Sequence, residues 1–407
     1  MGKPSAFYPV TNLRTPIYGT DSDPVGGSLE LLEITLHKMI DITSASVSEK
    51  VIRKSSRRVS RNGDIADWYA KLAWEEDREK ETLSNRSLAV RDCYRFWNVD
   101  HYKTQKVKDV VRITLCHDKF CLNCQNSIAL RREEKYTPVL DDLRSRYDIY
   151  HVVFTVPNVL GNELTAAVKK MYAKFPYLIQ YLQGKRKAKD INFVKFGFVA
   201  CIRALEVTQK ETPSGTEYHP HFHCLFLFRK GLKKDKGNIN EYSFSKGKLV
   251  RMFSDNEIFF QKVWYLLYNG ERLTKSALSD LKQGYSVIMD LPKEGRYHQV
   301  FKYVLGGNFK KGQPAFLYET FKTLYHTLYR RKMIQGYGIL NRFEFDIDDE
   351  KENADEIYSA IVAQLKAVEK PTPELMQVND VIKDYDDNSG IRYISKRSIR
   401  NEIKNRK

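Results

Sequence analysis

Two apolar runs constrain this chain more than any other feature. FGFVACIRALEVT (Phe196 to Thr208) and HPHFHCLFLF (His219 to Phe228) flank QKETPSGTEY, a segment of loop composition, and the three together read as a long β-hairpin. Alternate side chains of a strand share a face. His219, His221 and His223 therefore lie on one face with Leu225 and Leu227, while Pro220, Phe222, Cys224, Phe226 and Phe228 take the other. Simple antiparallel pairing brings Glu206 opposite His219 or His221, and directly opposed residues share a face. A single histidine in such a place is ordinarily a hydrogen-bonded core residue. Three at period two, with an acid on the preceding strand, predict a metal site. Imidazole with carboxylate suits Mn²⁺, Zn²⁺ or non-haem Fe²⁺, and less typically Mg²⁺.

Other elements fall around this hairpin. IYHVVFTVPN (Ile149 to Asn158) predicts a strand that stops at Pro157, and ELTAAVKKMYAKFPYLIQYL a helix, followed by the basic loop GKRKAKD. FSDNEIFFQKVWYLLYN predicts a helix capped at Ser254 or Asp255, with Glu257 in the first turn. RYHQVFKYVL predicts another, closed by Gly306-Gly307. A helical pattern also begins near Leu29, after a lead-in rich in Pro, Gly, Ser and Thr that reads as mobile. KVIRKSSRRVSRNGD (Lys50 to Asp64) reads as a solvated charge run or a phosphate-contacting arm.

Cys116, Cys121 and Cys124 (CHDKFCLNC) have the spacing of a small zinc knuckle. A closed site needs a fourth ligand, for which Cys93 comes first and His117 and His101 are alternatives. Lys119, Phe120, Arg131 and Arg132 would let such a knuckle press on DNA. Cys201 and Cys224 fall inside strands and read as core residues.

The chain of 407 residues carries 68 Lys and Arg against 51 Asp and Glu, a formal charge of +17. That excess favours a polyanionic partner, most simply nucleic acid. Six cysteines in so long a chain do not make a disulfide scaffold. No stretch has the apolar length of a membrane helix and the N-terminal residues lack a signal-peptide core, so a cytoplasmic location without membrane contact is expected. MGKPSA matches an N-myristoylation pattern only in its Gly2.

HPHFH resembles the His-hydrophobic-His motif of HUH endonucleases, and the chain is similar to plasmid rolling-circle replication initiators (Rep proteins) of the Gram-positive type. Their first motif is matched by FTVPN (Phe154 to Asn158) and their second by LEVT (Leu205 to Thr208) with His219 to His223. VFKYVL (Val300 to Leu305) matches the third. The cysteine-rich segment and RRKMIQGYGIL extend the likeness, which runs in order from about Cys116 to Leu340. The resemblance implies metal-dependent, strand-specific nicking of the origin through a 5′-phosphotyrosyl intermediate, leaving a 3′-OH primer. Tyr303 is then the nucleophile and Lys302 a phosphate contact. Glu206, His221 and His223 bind Mn²⁺ or Mg²⁺, with His219 as an extra or substitute ligand. Cys93, Cys116, Cys121 and Cys124 bind structural Zn²⁺.

One departure is informative. Many relatives carry a glutamate four residues before the tyrosine, proposed to activate water; here Gln299 stands there, and Glu294, His298 or Tyr297 would have to substitute. A relaxase or transposase shares the same chemistry, and a non-catalytic DNA-binding protein would share the metal-stabilised hairpin. A metal-dependent oxygenase uses similar ligands but does not explain the basic surface.

The expected fold is α+β, a central antiparallel sheet with flanking helices and a small zinc-knuckle-like segment. Residues 1–85 read as a basic, partly disordered region, 86–135 as the knuckle segment, 136–345 as the catalytic domain and 346–407 as a peripheral acidic-then-basic tail. The partner implied is plasmid origin DNA, single-stranded or extruded as a hairpin at the nick, with host helicase and polymerase following; sequence leaves the oligomeric state open.

Overall fold

The computed structural model describes residues 46–232, 239–245, 248–293, 295, 297–301, 317–341 and 349–406. The helical pattern near Leu29, the expected nucleophile Tyr303, its neighbour Lys302 and the Gly306-Gly307 stop lie outside the described residues. Fold class is α+β, as the mixture of period-two and helical patterns implies.

Strands β5 (Phe198–Thr212) and β6 (Gly215–Arg229) form the hairpin. Both run through most of QKETPSGTEY, so the loop shrinks to Pro213-Ser214, with Gly215 at φ 115° just after it. β6 also pairs with β3 (Tyr147–Thr155), which in turn pairs with β9 (Val287–Asp290), while β10 (Ile334–Gly338) pairs with β5. The five strands run in the order β10-β5-β6-β3-β9, every pair antiparallel. A short β4 (Val159–Leu160) joins β6 beyond the end of β3. Gly338 explains the small residues of QGYGIL: at φ 65°, a Cβ there would meet the Val199 carbonyl at 2.1 Å.

Helices cover both faces of this sheet. Phe222, Cys224, Phe226 and Phe228 pack with α4 (Gly161–Leu182), α5 (Asp255–Asn269) and α8 (Tyr318–Leu328) in the largest core. Each fully buried Phe there contributes about 1.5–3 kcal/mol. Leu225 and Leu227, on the histidine face, pack with α3 (Leu122–Arg146) and α7 (His298–Phe301) through Leu140, Leu143, Val300 and Phe301. The cap of α5 falls at Ser254: its Oγ accepts from the Glu257 amide, and the Glu257 carboxylate accepts from the Ser254 amide at 2.8 Å. Gly270 at φ 76° ends that helix.

Two readings need correction. The Lys50–Asp64 block is the first half of α1 (Glu49–Glu75), a 27-residue helix with Ile52, Ser55, Asn62 and Ile65 buried. Its apolar stripe is thin and includes Ser and Asn, whose burial depends on partners elsewhere in the chain. α1 and α2 (Lys80–Arg91) form a helical hairpin within residues 1–85 and slightly beyond.

Residues 349–406 are no peripheral tail. Strands β11 (Thr372–Gln377) and β12 (Arg392–Ile394) complete a second sheet, in the order β11-β1-β2-β12, with β1 (Phe96–Tyr102) and β2 (Val107–Ile113). On one face Trp97, Val110, Met376 and Val381 of α10 (Val378–Asp386) meet Ile52 of α1. On the other, Tyr102 and Val107 meet Leu365 of α9 (Asp349–Val368) and Ile399 of α11 (Lys396–Arg406). A separate two-stranded sheet, β7 (Ile239–Ser245) with β8 (Lys248–Ser254), precedes α5.

Candidate functional site

The register of the hairpin places Glu206 opposite His221, and Thr208 opposite His219. The neighbouring strand β3 sets Val153 opposite His223 and Thr155 opposite His221. The strand that carries FTVPN thus flanks the histidines directly. Phe154 points the other way into the aromatic core, and the Trp264 indole donates to the Thr155 carbonyl at 2.8 Å, fixing the end of that strand.

Glu206, His221 and His223 converge: one donor atom from each lies within 4.8 Å of the others. The Nε2 of His221 is 2.8 Å from Oε2 of Glu206, and the Nε2 of His223 contacts the same oxygen. The His221 Nδ1 lies 3.0 Å from the carbonyl oxygen of His219, so that nitrogen carries a hydrogen and donates it. A neutral imidazole has one N–H, which leaves a lone pair on the Nε2 facing the carboxylate. Two electron-rich atoms so placed require a cation between them, a proton or a metal ion. Burial pushes the Glu206 carboxyl up, but the hydrogen bonds that His221 and His223 donate when their Nε2 atoms carry a proton outweigh it, and its pKa falls to about 2. The carboxylate is therefore ionised at any physiological pH. A divalent ion about 2.1 Å from its ligands spans donor–donor gaps of about 3–3.5 Å, which this group accommodates with small movements.

His219 stands apart from the group. Its ring neighbours His221, with centroids 5.0 Å apart, and its backbone carbonyl supplies the acceptor just described. Burial, then the adjacent His221, lowers its pKa.

His151 was not singled out by the sequence reading. Its Nε2 lies 2.9 Å from Nδ1 of His223, and the rings are stacked with centroids 5.1 Å apart. The signal was present in IYHVVFTVPN, since His151, Val153 and Thr155 share a strand face; the pairing that sets that face beside His223 was not.

The four sulfurs of Cys93, Cys116, Cys121 and Cys124 also converge. Cys93 to Cys121 is 3.4 Å, Cys93 to Cys124 3.5 Å and Cys116 to Cys124 3.6 Å. Those gaps exceed a disulfide and approach the roughly 3.8 Å between thiolates on a tetrahedral zinc ion. Backbone and side-chain N–H groups point at the sulfurs: the His117 amide at Cys124 (3.1 Å) and the Asn62 amide side chain at Cys121 (3.2 Å). The His117 amide reaches Cys124 from a left-handed backbone, φ 55°. Hydrogen bonds from the other three cysteines push the Cys124 thiol down. Of the alternative ligands, His117 contributes its backbone and His101 pairs with Glu374 at 2.7 Å in the second sheet. The α1–α2 hairpin clamps the segment, Tyr69 and Arg86 both donating to Asp118 (2.9 and 2.7 Å).

The proposed DNA-contacting cations divide. Lys119 donates to the Leu328 carbonyl at 2.6 Å, so its ammonium is engaged within the protein, and burial lowers its pKa. Arg131 is exposed on α3 and Arg132 half-buried beside it. Tyr297 is buried under α3, its hydroxyl donating to Asp141 at 2.7 Å; burial pushes its pKa up to about 12. That is a packing tyrosine.

Among the described residues no helix is long and apolar enough to cross a membrane. No curated protein and no solved structure matches this chain. Residues 107–245, about a third of the chain, match the family model described as Replication protein, spanning three of the four cysteines and the whole Glu-His-His group. Over that segment the chain is similar to replication proteins.

Proposed function

We propose that this protein starts rolling-circle replication by nicking one strand of a plasmid origin. The observation that carries the reading is the convergence of Glu206, His221 and His223 on one sheet face within the segment that matches the replication family. When bound there, a divalent metal would act as a Lewis acid on a phosphoryl oxygen, as Mn²⁺ or Mg²⁺ does. Glu206, His221 and His223 would hold it, and His219 would contribute through its carbonyl.

Tyr303 is the proposed nucleophile. Its phenolic oxygen attacks the scissile phosphorus, the bond from phosphorus to the 3′ oxygen breaks, and the phenolic proton ends on the released 3′-OH. The product is a 5′-phosphotyrosyl protein and a primer for the host polymerase, with a helicase opening the duplex ahead. Lys302 is assigned to a phosphate oxygen. Helix α7 supports the assignment: Val300 and Phe301, just before Lys302 and Tyr303 in sequence, pack on the histidine face of the sheet. A structural zinc ion on the four cysteines would brace the knuckle against α1.

The test is supercoiled plasmid carrying its own origin, incubated with and without Mn²⁺ and assayed for nicking and for a covalent 5′ adduct. Both should appear with metal and vanish in Tyr303→Phe and in Glu206→Ala. An adduct that survives Tyr303→Phe moves the chemistry to another residue. Absence of any nick, with DNA binding intact, favours a non-catalytic binding protein, the reading that Gln299 supports.

A further inference from the structure

The basic loop GKRKAKD has no role in the chemistry above, yet it is ordered. Lys189 bridges to Thr274 in parallel register, and Ala188 pairs with Ile191. The loop thereby closes a cleft of about 310 Å³ at the C-terminal ends of α4 and α5. Lys174, Arg186, Lys187, Lys189 and Arg272 line it against a single acid, Glu271.

Cations at helix C-termini often do no more than offset the helix dipole. Two helix ends carry about −0.5 charge each, or about −1 together. Five cations less one carboxylate give +4, so about three positive charges remain unbalanced. Among the described residues none of the five is in an ion pair, whereas Arg53, Arg86, Arg91 and Lys322 elsewhere each hold a carboxylate. Arg186 stacks on Tyr177, its guanidinium carbon 4.4 Å from the ring centroid, and Lys174 lies 5.8 Å from the same ring. The tyrosine thus holds cations in place and presents its ring to them rather than to a base.

We propose that this cleft is a second nucleic-acid site, gripping the phosphate backbone of duplex DNA independently of base sequence. It lies across the sheet from the Glu-His-His group, because α4 and α5 cover the Phe222 face and the histidines occupy the other. One molecule can then hold flanking duplex on one side while a single strand is cut on the other. The proposal goes beyond the nicking reaction, though it rests on the same assignment of DNA as partner.

The experiment measures binding of a labelled random-sequence duplex to the full chain without divalent metal, as a function of salt. The triple variant Lys187→Ala, Lys189→Ala, Arg272→Ala removes three exposed side chains. Its slope of log affinity against log salt should fall by about 2–3 units, since each phosphate contact contributes about 0.9. Adduct formation on a short single-stranded origin oligonucleotide should stay within about twofold of wild type, and Glu271→Lys should steepen the slope by about one unit. An unchanged slope at an unchanged melting temperature overturns the proposal. So does a slope that falls for single strands alone. If the wild-type protein forms no adduct while the triple variant still loses slope, the cleft is upheld and the nickase sinks.

Discussion

His151 stacks on His223 with ring planes 5° from parallel, the Nε2 of one 2.9 Å from the Nδ1 of the other. One of these nitrogens must donate. If His223 donates, its Nε2 is bare and turned toward Glu206, the form a metal ligand needs. Partners that fix the tautomer of a ligand typically contribute 10–100-fold in metal affinity. His151→Ala should therefore weaken Mn²⁺ binding by about that factor in calorimetry, with the circular dichroism spectrum unchanged. His151→Gln, which keeps an acceptor, should recover part of the loss. Equal affinity in all three proteins would remove His151 from the site.

The cysteine cluster predicts one zinc ion per chain by elemental analysis. Cys93→Ala should abolish it and cost about 3 kcal/mol or more of stability, since structural zinc binding is folding energy. Asn62→Ala should cost less, about 1–2 kcal/mol, by removing one donor to Cys121. A metal-free protein whose unfolding midpoint ignores Cys93→Ala would make the cluster four reduced thiols.

Asp109 gives a pH signature away from the Glu-His-His group. Burial raises its pKa to about 6, against the lowering effect of the Tyr358 hydroxyl that donates to it at 2.8 Å. The unfolded carboxyl titrates near 3.9. Between those values the folded chain holds more protons than the unfolded one, so this residue's contribution to stability falls as pH rises from about 4 to about 6 and is constant above. Asp109→Asn should remove that loss and be more stable by about 3 kcal/mol at pH 7. Denaturation midpoints of the two proteins that run parallel from pH 4 to 8 would contradict it.

Gln299 stands four residues before the proposed nucleophile Tyr303, and an amide takes no proton. The covalent adduct should therefore be long-lived, and Gln299→Glu should speed its hydrolysis by about 100-fold, within the range of general-base effects. The rate of adduct loss in a single-turnover chase reads this directly. No acceleration would assign termination to another group.

Local pattern alone determined the hairpin, the face shared by the three histidines, the capped helix at Ser254 and the spacing of three cysteines. Each depends on period, cap chemistry or short separation, which neighbouring residues dictate. Tertiary pairing decided the rest. A one-residue change of register decides whether Glu206 meets His219 or His221, and that register is set by packing of the whole sheet. Cys93 joins a cluster whose first other member is 23 residues away, because the α1–α2 hairpin folds over it. Residues 372–394 enter a sheet with residues 96–113 that no local signal announces. Long-range pairs of this kind are chosen by burial of shared apolar surface, such as Trp97 against Tyr393, and that choice is made only when the chain has collapsed.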